Sequence, residues 1–423
     1  MGGGSVTAVL IALMATGMPI AVVILATAIV FVQFHPDILN LGLVQSLIVS
    51  TQPFPLISVP LFILAGELMN ASGITRRLMD FAAALTGHMV GGLAQVNVLL
   101  SALKGGMSGS ANADAAMDAK TIVPEMVKRG YSPAFSSVVT AFSGLLSGLL
   151  PPSITLLLFG FVTNTSVGAL FMGSIVPSII MTAGQMWVTH MICKKRGYGR
   201  DLPRAALGSI GRACIKALPA LAMPAIVVFG IRFGVFTPSE AGAVAVLYAL
   251  IFCAVYRETR LRELAMALRG TVLTTAAIMF ILAASSALSW VLTYERIPQA
   301  VAETLIGITR NPQALLLIIV AFLFLAGIFL EGPALILILA PMLMPAVTAV
   351  GIDPVHFGIL FSVMALLAGV SPPVGTIMFT TCAITKVSIA DFSRECGWYM
   401  ALMIGVTLLI VFVPQTVTIL ARL

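Results

Sequence analysis

Two apolar stretches of this sequence place adjacent prolines a few residues after a glycine. They are LLSGLLPPSIT, residues 145–155, and LLAGVSPPVGT, residues 366–376. A proline inside a helix removes a hydrogen bond and clashes with the carbonyl four residues back, so each stretch predicts a broken helix. Carbonyls freed in hydrocarbon are costly unless a cation, or a polar substrate in a water-filled cavity, satisfies them; a kinked but fully packed helix is the alternative. The candidate binding residues in these two breaks are Gly148, Pro151, Pro152, Ser153, Gly369, Ser371, Pro372, Pro373 and Thr376.

Small polar residues also interrupt an apolar run upstream of each break. The first interruption is GGMSGSANADAAMDAK, residues 105–120, and the second is FLEGPAL, residues 329–335. An apolar run broken at its centre in this way predicts a re-entrant hairpin, which is tolerated at membrane depth only when it is buried or lines a cavity. We expect each hairpin tip to pair with the break that follows it. The candidate binding residues at the tips are Ser108, Gly109, Ser110, Asn112, Glu331, Gly332 and Pro333.

The tips and breaks together offer hydroxyl, amide and carbonyl oxygens. These are hard ligands, and they suit a hard monovalent cation such as Na⁺. Glu331 could ligate that cation, carry a proton, or cap the hairpin tip through backbone N–H groups. Asp114 and Asp118 lie four residues apart on one helical face with Lys120 nearby. We interpret them as an interfacial or intersubunit feature rather than as a pair of catalytic carboxylates.

Enzyme and channel motifs are absent from the sequence. It has no HExxH pair, no Walker A loop, no Ser/His/Asp arrangement and no selectivity-filter sequence, and its four histidines are scattered. The five cysteines show no CxxC spacing, which argues against a metal centre or a disulfide framework. The chain is therefore predicted not to be an enzyme, to use no cofactor other than a coupling ion, and not to be driven directly by ATP.

The two broken stretches belong to an internal repeat. The second lies 221 positions after the first (145 to 366), and this offset matches further residues without a gap from Gly106 to Phe171. The matched pairs include Gly106 with Gly327, Pro124 with Pro345, Gly130 with Gly351, Pro133 with Pro354 and Phe171 with Phe392.

An odd number of predicted crossings separates the two copies. Five apolar spans intervene, and residues 313–350 then return to their starting side, either as a hairpin or as two helices. The copies are therefore predicted to be inverted with respect to each other. Inverted repeats with broken segments at matching positions are typical of secondary transporters.

These elements lie in a chain with the composition of a polytopic membrane protein. Of its 423 residues, 59% are hydrophobic and 9% are charged, and the mean hydropathy is +1.09, whereas a soluble domain carries about 25% charged residues. The long runs of Leu, Ala, Ile and Met predict an all-α fold of the inner-membrane kind. The predicted crossings or half-crossings lie near residues 5–32, 51–69, 83–103, 133–163, 167–191, 214–233, 238–256, 271–292, 313–330, 355–384 and 398–420.

Two basic loops predict the orientation in the membrane. Residues 193–216 carry seven Lys and Arg residues and residues 256–270 carry four. Two apolar runs separate these loops, so both lie on one side, which the positive-inside rule assigns to the cytoplasm. The net charge of +7 mostly reflects this topology. Nucleic-acid binding is disfavoured because no basic segment is interleaved with aromatic residues.

The chain is predicted to divide into scaffold and transport regions. Amphipathic stretches at residues 66–89 and 293–312 each precede a hairpin, and we interpret them as interfacial arms that hold a moving core. The opening MGGGSVTAVL lacks a basic n-region, which predicts a retained helix, and its Gly-Gly-Gly-Ser could equally be a linker remnant. The predicted regions are 1–104 (scaffold helices and first arm), 105–165 (first transport repeat), 166–326 (scaffold helices, basic loops and second arm), 327–385 (second transport repeat) and 386–423 (C-terminal helix).

Five stretches of the sequence resemble the large membrane subunit (DctM-type) of tripartite ATP-independent periplasmic, or TRAP, transporters. They are LFILAGELMNASGITRRL, GGLAQVNVLLSALKGGMSGSANADAA, IVPEMVKRGYSPAFSSVVTAFSGLLSGLLPPSI, TPSEAGAVAVLYAL and LLAGVSPPVGTIMF. The resemblance covers essentially the whole chain. It implies an elevator-type symporter of the bacterial inner membrane that takes up carboxylate-bearing solutes and is usually driven by sodium.

The resemblance also implies sites and partners. The family's sodium sites carry over to the two pairs of hairpin tip and broken helix: Ser108, Ser110, Asn112, Gly148 and Pro151 in the first, and Glu331, Gly332, Gly369, Ser371, Pro372 and Thr376 in the second. The implied partners are a small four-helix membrane subunit, expected here as a separate chain, and a periplasmic solute-binding protein. A stand-alone sodium- or proton-coupled carboxylate symporter of the same architecture remains the alternative, and the sequence does not identify the substrate.

Overall fold

The computed structural model describes residues 3–14, 16–35, 40–199 and 203–421. Nearly all of them are helical and none of them forms a strand, which confirms the predicted all-α membrane fold. Arg200 of the first basic loop and the first two residues of the chain lie outside the described part.

The helices of the first half are α1 (Gly3–Met14), α2 (Ile20–Gln33), α3 (Asn40–Val49), α4 (Ser58–Ala71, preceded by a 3₁₀ turn, Phe54–Ile57), α5 (Ile74–Thr86), α6 (Gly92–Ser108), α7 (Ala111–Thr121), α8 (Val123–Lys128), α9 (Pro133–Leu149), α10 (Ile154–Thr163) and α11 (Val167–Arg196). Those of the second half are α12 (Leu207–Arg232), α13 (Pro238–Tyr256), α14 (Leu261–Tyr294), α15 (Ile297–Ile308), α16 (Pro312–Ala326), α17 (Gly332–Ala349), α18 (Pro354–Ala368), α19 (Thr376–Thr385), α20 (Ile389–Glu395), α21 (Gly397–Phe412) and α22 (Gln415–Ala421).

Helices of membrane-spanning length and apolarity recur through the described part of the chain. Six helical segments are long and apolar enough to cross a bilayer, and two bent pairs bring the number to eight. One bent pair is α9 with α10, which meet at 46° at the first Pro-Pro stretch, as a broken helix requires. The other is α20 with α21, bent by 57°.

The first predicted crossing, at residues 5–32, is wrong as a single helix. The structure has two short helices there, α1 of 12 residues and α2 of 14 residues. At 1.5 Å per residue these are about 18 and 21 Å long, less than the ~30 Å of a hydrocarbon core. Gly17 adopts a left-handed conformation (φ 76°) and Pro19 caps α2. The sequence Gly-Met-Pro at 17–19 was a signal for this break that the hydropathy pattern concealed.

The first hairpin, α6 with α7 and α8, enters and leaves on the side of the basic loops. At its start, the Gly91 backbone N–H donates to the Gly199 carbonyl (3.0 Å). At its end, the Ser132 backbone N–H donates to the Tyr198 hydroxyl (3.0 Å). Both partners directly follow α11 in the basic loop, so residues 92–131 return to the face from which they entered.

The second hairpin, α16 with α17, enters and leaves at the opposite face. Pro312 and Gly351, at its two ends, line one small cavity together with Pro414 beyond the end of α21. The other end of α21 lies at the basic loops, where the Arg196 guanidinium donates to the Glu395 carboxylate (2.7 Å). Because α21 has 16 residues, about 24 Å separate the two faces. The hairpins therefore point into the fold from opposite sides.

Helix boundaries in the two copies correspond closely. Pro133 and Pro354 both begin helices, and Gly130 and Gly351 both adopt positive φ before them. After the Pro-Pro pairs the offset becomes 222, since α10 begins at Ile154 and α19 at Thr376. The predicted gapless match to Phe171 is therefore wrong by one residue, because the second loop between half-helices is longer. The copies also interlock, since α10 packs on α17 and α19 packs on α7.

Each amphipathic stretch forms a short helix against its hairpin. The first is α5, which packs on α6, and the second is α15, which packs on α17. The predicted limits were too wide, because residues 66–71 belong to α4 and residues 293–294 to α14. Arg77 fixes α5 to the neighbouring helices through an ion pair with Glu258 (2.7 Å) and by lying over the Tyr256 ring (3.7 Å).

Candidate cation site at the hairpin tips

The first hairpin tip is a tight bend built on one glycine. Ser108 ends α6, Gly109 adopts a left-handed conformation (φ 59°), and Ser110 caps α7 by accepting the Ala113 backbone N–H (3.4 Å). A Cβ at position 109 would lie only 2.5 Å from the Pro152 carbonyl oxygen. Glycine is therefore required both for the conformation and for the approach of the tip to the first break.

The first break completes this arrangement. Ser153 caps α10 by accepting the Leu156 N–H (3.3 Å), and its hydroxyl donates to the Gly148 carbonyl. The Ile154 backbone N–H donates to the Gly109 carbonyl (3.4 Å), which links break to tip directly. The structure thus brings the predicted residues of the first tip together with Gly148, Pro151, Pro152 and Ser153. Asn112 is the exception, because its side chain is exposed on α7 rather than packed in the tip.

The second tip places a carboxylate where the first has a hydroxyl. Glu331 caps α17 in an extended conformation, at the position that matches Ser110. Its side chain makes no capping hydrogen bond and is exposed, so the predicted alternative of a side-chain cap is wrong. Gly332 follows with a Cβ position 2.9 Å from the Ala365 carbonyl oxygen, which seats the tip against the end of α18. Pro333 occupies the first turn of α17, where its missing N–H leaves no bond unmade.

Several polar groups of the second break form hydrogen bonds within the break and its flanking helices. The Gly369 carbonyl accepts the Ile377 and Met378 N–H groups (2.8 and 3.1 Å), and the Ser371 hydroxyl donates to the Leu367 carbonyl (2.8 Å). Pro373 is exposed, and Thr376 begins α19 with a partly exposed side chain. The bonds Pro151–Pro152 and Pro372–Pro373 are both cis. Among the described residues no group of three His, Cys, Asp or Glu side chains converges, so the oxygens on offer here are mainly hydroxyls and carbonyls.

A buried charge cluster beside the first tip was missed at the sequence level. Asp114 and Asp118 are each 1% exposed and Lys104 is fully buried, so the interpretation of the aspartates as an interfacial or intersubunit feature is wrong. Lys104 Nζ lies 2.7 Å from an Asp118 oxygen and 3.6 Å from an Asp114 oxygen. Lys120, which the sequence suggested as the neighbouring cation, is exposed. The true cation lies on the preceding leg of the hairpin, and sequence spacing within one helix could not reveal it.

A cavity of about 1100 Å³ lies beyond the first break. It begins on α10 one turn past Ser153, at Leu157, and extends to the loop before α11, at the end of α11 opposite the basic loops. None of its described lining residues is charged. Its polar lining includes Ser50, Ser58, Asn164, Thr165, Ser286 and Ser289. The lining therefore combines apolar side chains with neutral polar groups.

The contact between the first tip and the first break predicts a difference between two glycine substitutions. Gly109→Ala and Gly130→Ala both place a side chain at positive φ, which costs about 1–2 kcal/mol, but position 130 has open space around its Cβ. We expect Gly109→Ala to lower the midpoint of thermal unfolding in detergent clearly more than Gly130→Ala, because only the former also collides with the Pro152 carbonyl. Equal losses would show that the tip does not rest on this break.

Comparisons with known proteins agree over nearly the whole chain. A family model described as the tripartite ATP-independent periplasmic transporter, DctM component, matches residues 7–416. The sialic acid TRAP transporter large permease protein SiaM of Vibrio cholerae is 35% identical over 413 residues, which cover 97% of this chain and 96% of that protein. The C4-dicarboxylate TRAP transporter large permease protein DctM of Pseudomonas aeruginosa is 36% identical over 392 residues, covering 92% and 91%.

A solved structure shares the fold. The Alcanivorax borkumensis YdaH transporter, whose crystal structure is described as having an unusual topology, superposes with a TM-score of 0.57 at 15% sequence identity. The match covers 90% of this chain and 87% of that one. At this identity the likeness concerns the architecture alone.

Proposed function

Because the chain belongs to the DctM family, the large membrane component of TRAP transporters, we propose that it imports small carboxylate-bearing solutes together with sodium ions by an elevator mechanism. The observation that carries this proposal is the pairing of two hairpin tips with two broken helices, at repeat-related positions and from opposite faces. The relatives are transport permeases of bacteria, and this chain is a multi-pass protein of the bacterial inner membrane.

Sodium is the proposed coupling ion because of the oxygens that the tips and breaks offer. The first pair provides the Ser108, Ser110 and Ser153 hydroxyls with the carbonyls of a tight bend and a Pro-Pro loop. The second pair provides Thr376, the Pro-Pro loop and Glu331. These are hard ligands of low total charge, which suit Na⁺ better than a transition metal. Proton relays, by contrast, use chains of buried Asp, Glu or His residues.

The proposed moving core consists of the two hairpins and two broken helices, residues 105–165 and 327–385. Its contact with the surrounding scaffold is lined by glycine. A Cβ at Gly66 of α4 would lie 2.8 Å from Ser108 Cα, and one at Gly106 would lie 2.2 Å from Pro224 Cγ on α12. At these two contacts the glycine has no side chain that interlocks with its neighbour, which favours sliding of one element past the other. The scaffold is proposed to be fixed by α5 and α15, each of which packs against one hairpin.

The cavity of about 1100 Å³ is the proposed route from the periplasm. It separates α10 and α17 of the core from α4, α13 and α14 of the scaffold, on the side away from the basic loops. The first tip meanwhile closes against α4 and α12 on its scaffold side. This combination supports an outward-facing arrangement, in which a solute released by a binding protein would reach the core from outside.

The partners are proposed from the family. They are a small membrane subunit that extends the scaffold and a periplasmic solute-binding protein that docks opposite the basic loops. The named relatives transport sialic acid and C4-dicarboxylates, and a small organic acid is accordingly the proposed substrate class here. Because none of the described residues that line the cavity is charged, the binding protein is proposed to contribute much of the selectivity.

Coupling to sodium predicts how the driving force acts. In proteoliposomes that contain the transporter and its partners, uptake under an inward sodium gradient is expected to exceed uptake under a pH gradient alone. The reason is that the candidate ligands, apart from Glu331, are neutral oxygens that cannot carry protons. A potassium gradient of the same size is the control for osmotic and ionic effects. Faster uptake under the pH gradient would contradict sodium coupling and would make Glu331 the proton carrier.

A further inference from the structure

The charge cluster in the first hairpin connects its neck to its tip. The Lys104 ammonium pairs with Asp118, and the Ser101 hydroxyl on the previous turn of α6 also donates to Asp118 (3.2 Å). Asp114, one turn closer to the tip, accepts the Ser108 hydroxyl. The cluster therefore ends on a side chain that belongs to the tip itself.

The cluster is not electrically balanced. Two carboxylates, Asp114 and Asp118, face one ammonium, so with all three groups ionised the cluster carries one net negative charge in a site that is at most 1% exposed. An uncompensated buried charge is strongly unfavourable. Asp114 Oδ1 is also buried and accepts no hydrogen bond from the described residues, and Lys104 Nζ lies 3.6 Å away from it. The cluster therefore has one negative charge more than its single ammonium neutralises, and the oxygen without a hydrogen bond belongs to Asp114.

The second hairpin has different residues at the positions that match this charge cluster. At the repeat offset of 221, the positions that match Lys104, Asp114 and Asp118 are Leu325, Leu335 and Leu339. The whole cluster is thus absent from the second copy. In its place Glu331 lies at the tip, where the first copy has Ser110. Counting only side chains of the hairpins themselves, each therefore carries one net negative charge at or beside its tip. Glu67 of α4 lies near Asp114 and adds a further carboxylate from the neighbouring helix.

We propose that the cluster of Lys104, Asp114 and Asp118 supplies the electrostatic half of the first cation site, as Glu331 does for the second. Asp114 is a positioning residue in this scheme. It holds the Ser108 hydroxyl, so that an oxygen lone pair is free to face a cation, and its charge favours that cation from behind the neutral ligands. Lys104 and Asp118 keep Asp114 in place and keep the net charge at one. This inference rests on the proposed sodium coupling.

A series of charge variants tests the proposal. In Asp118→Asn, Lys104 neutralises Asp114 and the net charge becomes zero. In Asp114→Asn, the acceptor for Ser108 remains but the net charge is again zero. The double variant Lys104→Met with Asp118→Asn restores a net charge of minus one, carried by Asp114 alone. The sodium concentration at half-maximal effect is measured for uptake and, in the purified protein, for stabilisation against heat.

The expected result follows the net charge and not the number of substitutions. Both single variants should raise the half-maximal sodium concentration by about tenfold or more, since a unit charge a few ångströms away has been removed. The double variant should return it toward the wild-type value although one more buried group has been replaced. Thr140→Val, which removes the buried partner of the Asn97 amide (2.7 Å), is the matched uncharged control and should leave the sodium value unchanged.

Two outcomes would overturn the proposal in different ways. If the double variant needs as much sodium as Asp118→Asn or more, the cluster supports the hairpin only structurally. If Thr140→Val shifts the sodium value as far as the charge variants do, the shift reports general loosening and not charge. Absence of any sodium effect on the wild-type protein, in uptake and in thermal stability alike, would instead remove the proposed function on which the inference rests.

Discussion

Reconstituted alone, the chain is expected to take up substrate at no more than background rate, whereas addition of its small membrane subunit and binding protein should restore uptake. The physical reason is that an elevator needs a fixed scaffold against which its core can slide. Here α1 and α2 are each too short to cross a bilayer, and only 28% of an 18-residue apolar stretch of α12 is buried within the protein. Large apolar side chains of α12, such as Ile215, Leu218 and Phe229, are accordingly exposed on the scaffold. A second membrane chain would hold it in place.

Three reconstitutions decide this prediction: the large subunit alone, the pair of membrane subunits, and the complete set with binding protein. The pair without binding protein is the informative control, because it has the full scaffold but lacks solute delivery. We expect appreciable uptake only from the complete set. Comparable uptake by the large subunit alone would favour a stand-alone symporter, and a large subunit that purifies as a homodimer would argue against a scaffold completed by a different chain.

The hairpins and breaks could be predicted because their signals are local. Glycine, proline and small polar residues inside apolar runs report a backbone that leaves the helix, whatever surrounds it. The repeat offset supports the same prediction, since it pairs Gly148 with Gly369 just before the two Pro-Pro stretches. The inverted orientation followed from counting crossings between the copies, and the two ends of α21 place the hairpins at opposite faces as expected.

The cluster around Lys104 could not be predicted because its signal is not local. Asp114 and Asp118 show the spacing of an exposed helical face, and the nearest cation in that helix is Lys120. Only the fold of the hairpin brings Lys104, 14 residues before Asp118, to within 2.7 Å of it. The hydropathy pattern did not indicate a buried charge here, because one lysine in a 17-residue helix leaves the mean hydropathy of that helix high.

The errors in the predicted length of the first crossing and of the repeat match have a similar cause. Residues 5–32 form one apolar run, and the break at Gly17 and Pro19 is hidden in it because Ala, Val and Ile continue on both sides. Likewise a match of identical residues does not detect the one-residue difference after the Pro-Pro pairs, because Thr155 and Thr376 still match at the offset of 221. The helix starts at Ile154 and Thr376 show instead that the second loop is longer.

Combined lesions in the two tip-and-break pairs should have the second large effect, a loss of sodium-dependent uptake. Ser110→Ala removes the hydroxyl that caps α7 at the first tip, Asn112→Ala removes the predicted amide on the exposed side of α7, and Thr376→Val removes the hydroxyl at the second break while keeping its shape. Each lesion alone should raise the sodium requirement of uptake and make its sodium dependence less steep. Both together should reduce uptake to background, because the proposed mechanism couples the movement of one core to occupation of both sites.

A helix-cap control separates ligand loss from helix loss. Ser110 also caps α7, and removing such a cap costs about 1 kcal/mol. Ser388→Ala removes an equivalent cap, which accepts the Asp391 N–H (3.1 Å) at the start of α20, outside both tip-and-break pairs. It should lower thermal stability by a similar amount without changing the sodium dependence.

If sodium dependence is unchanged in the tip variants and in Thr376→Val alike, the cation must bind elsewhere, and the repeat-related tips would then serve the substrate alone. If Ser388→Ala instead reproduces the sodium effect, that effect reports weakened helices. The pattern expected of a two-site elevator is a sodium defect confined to the tip and break variants.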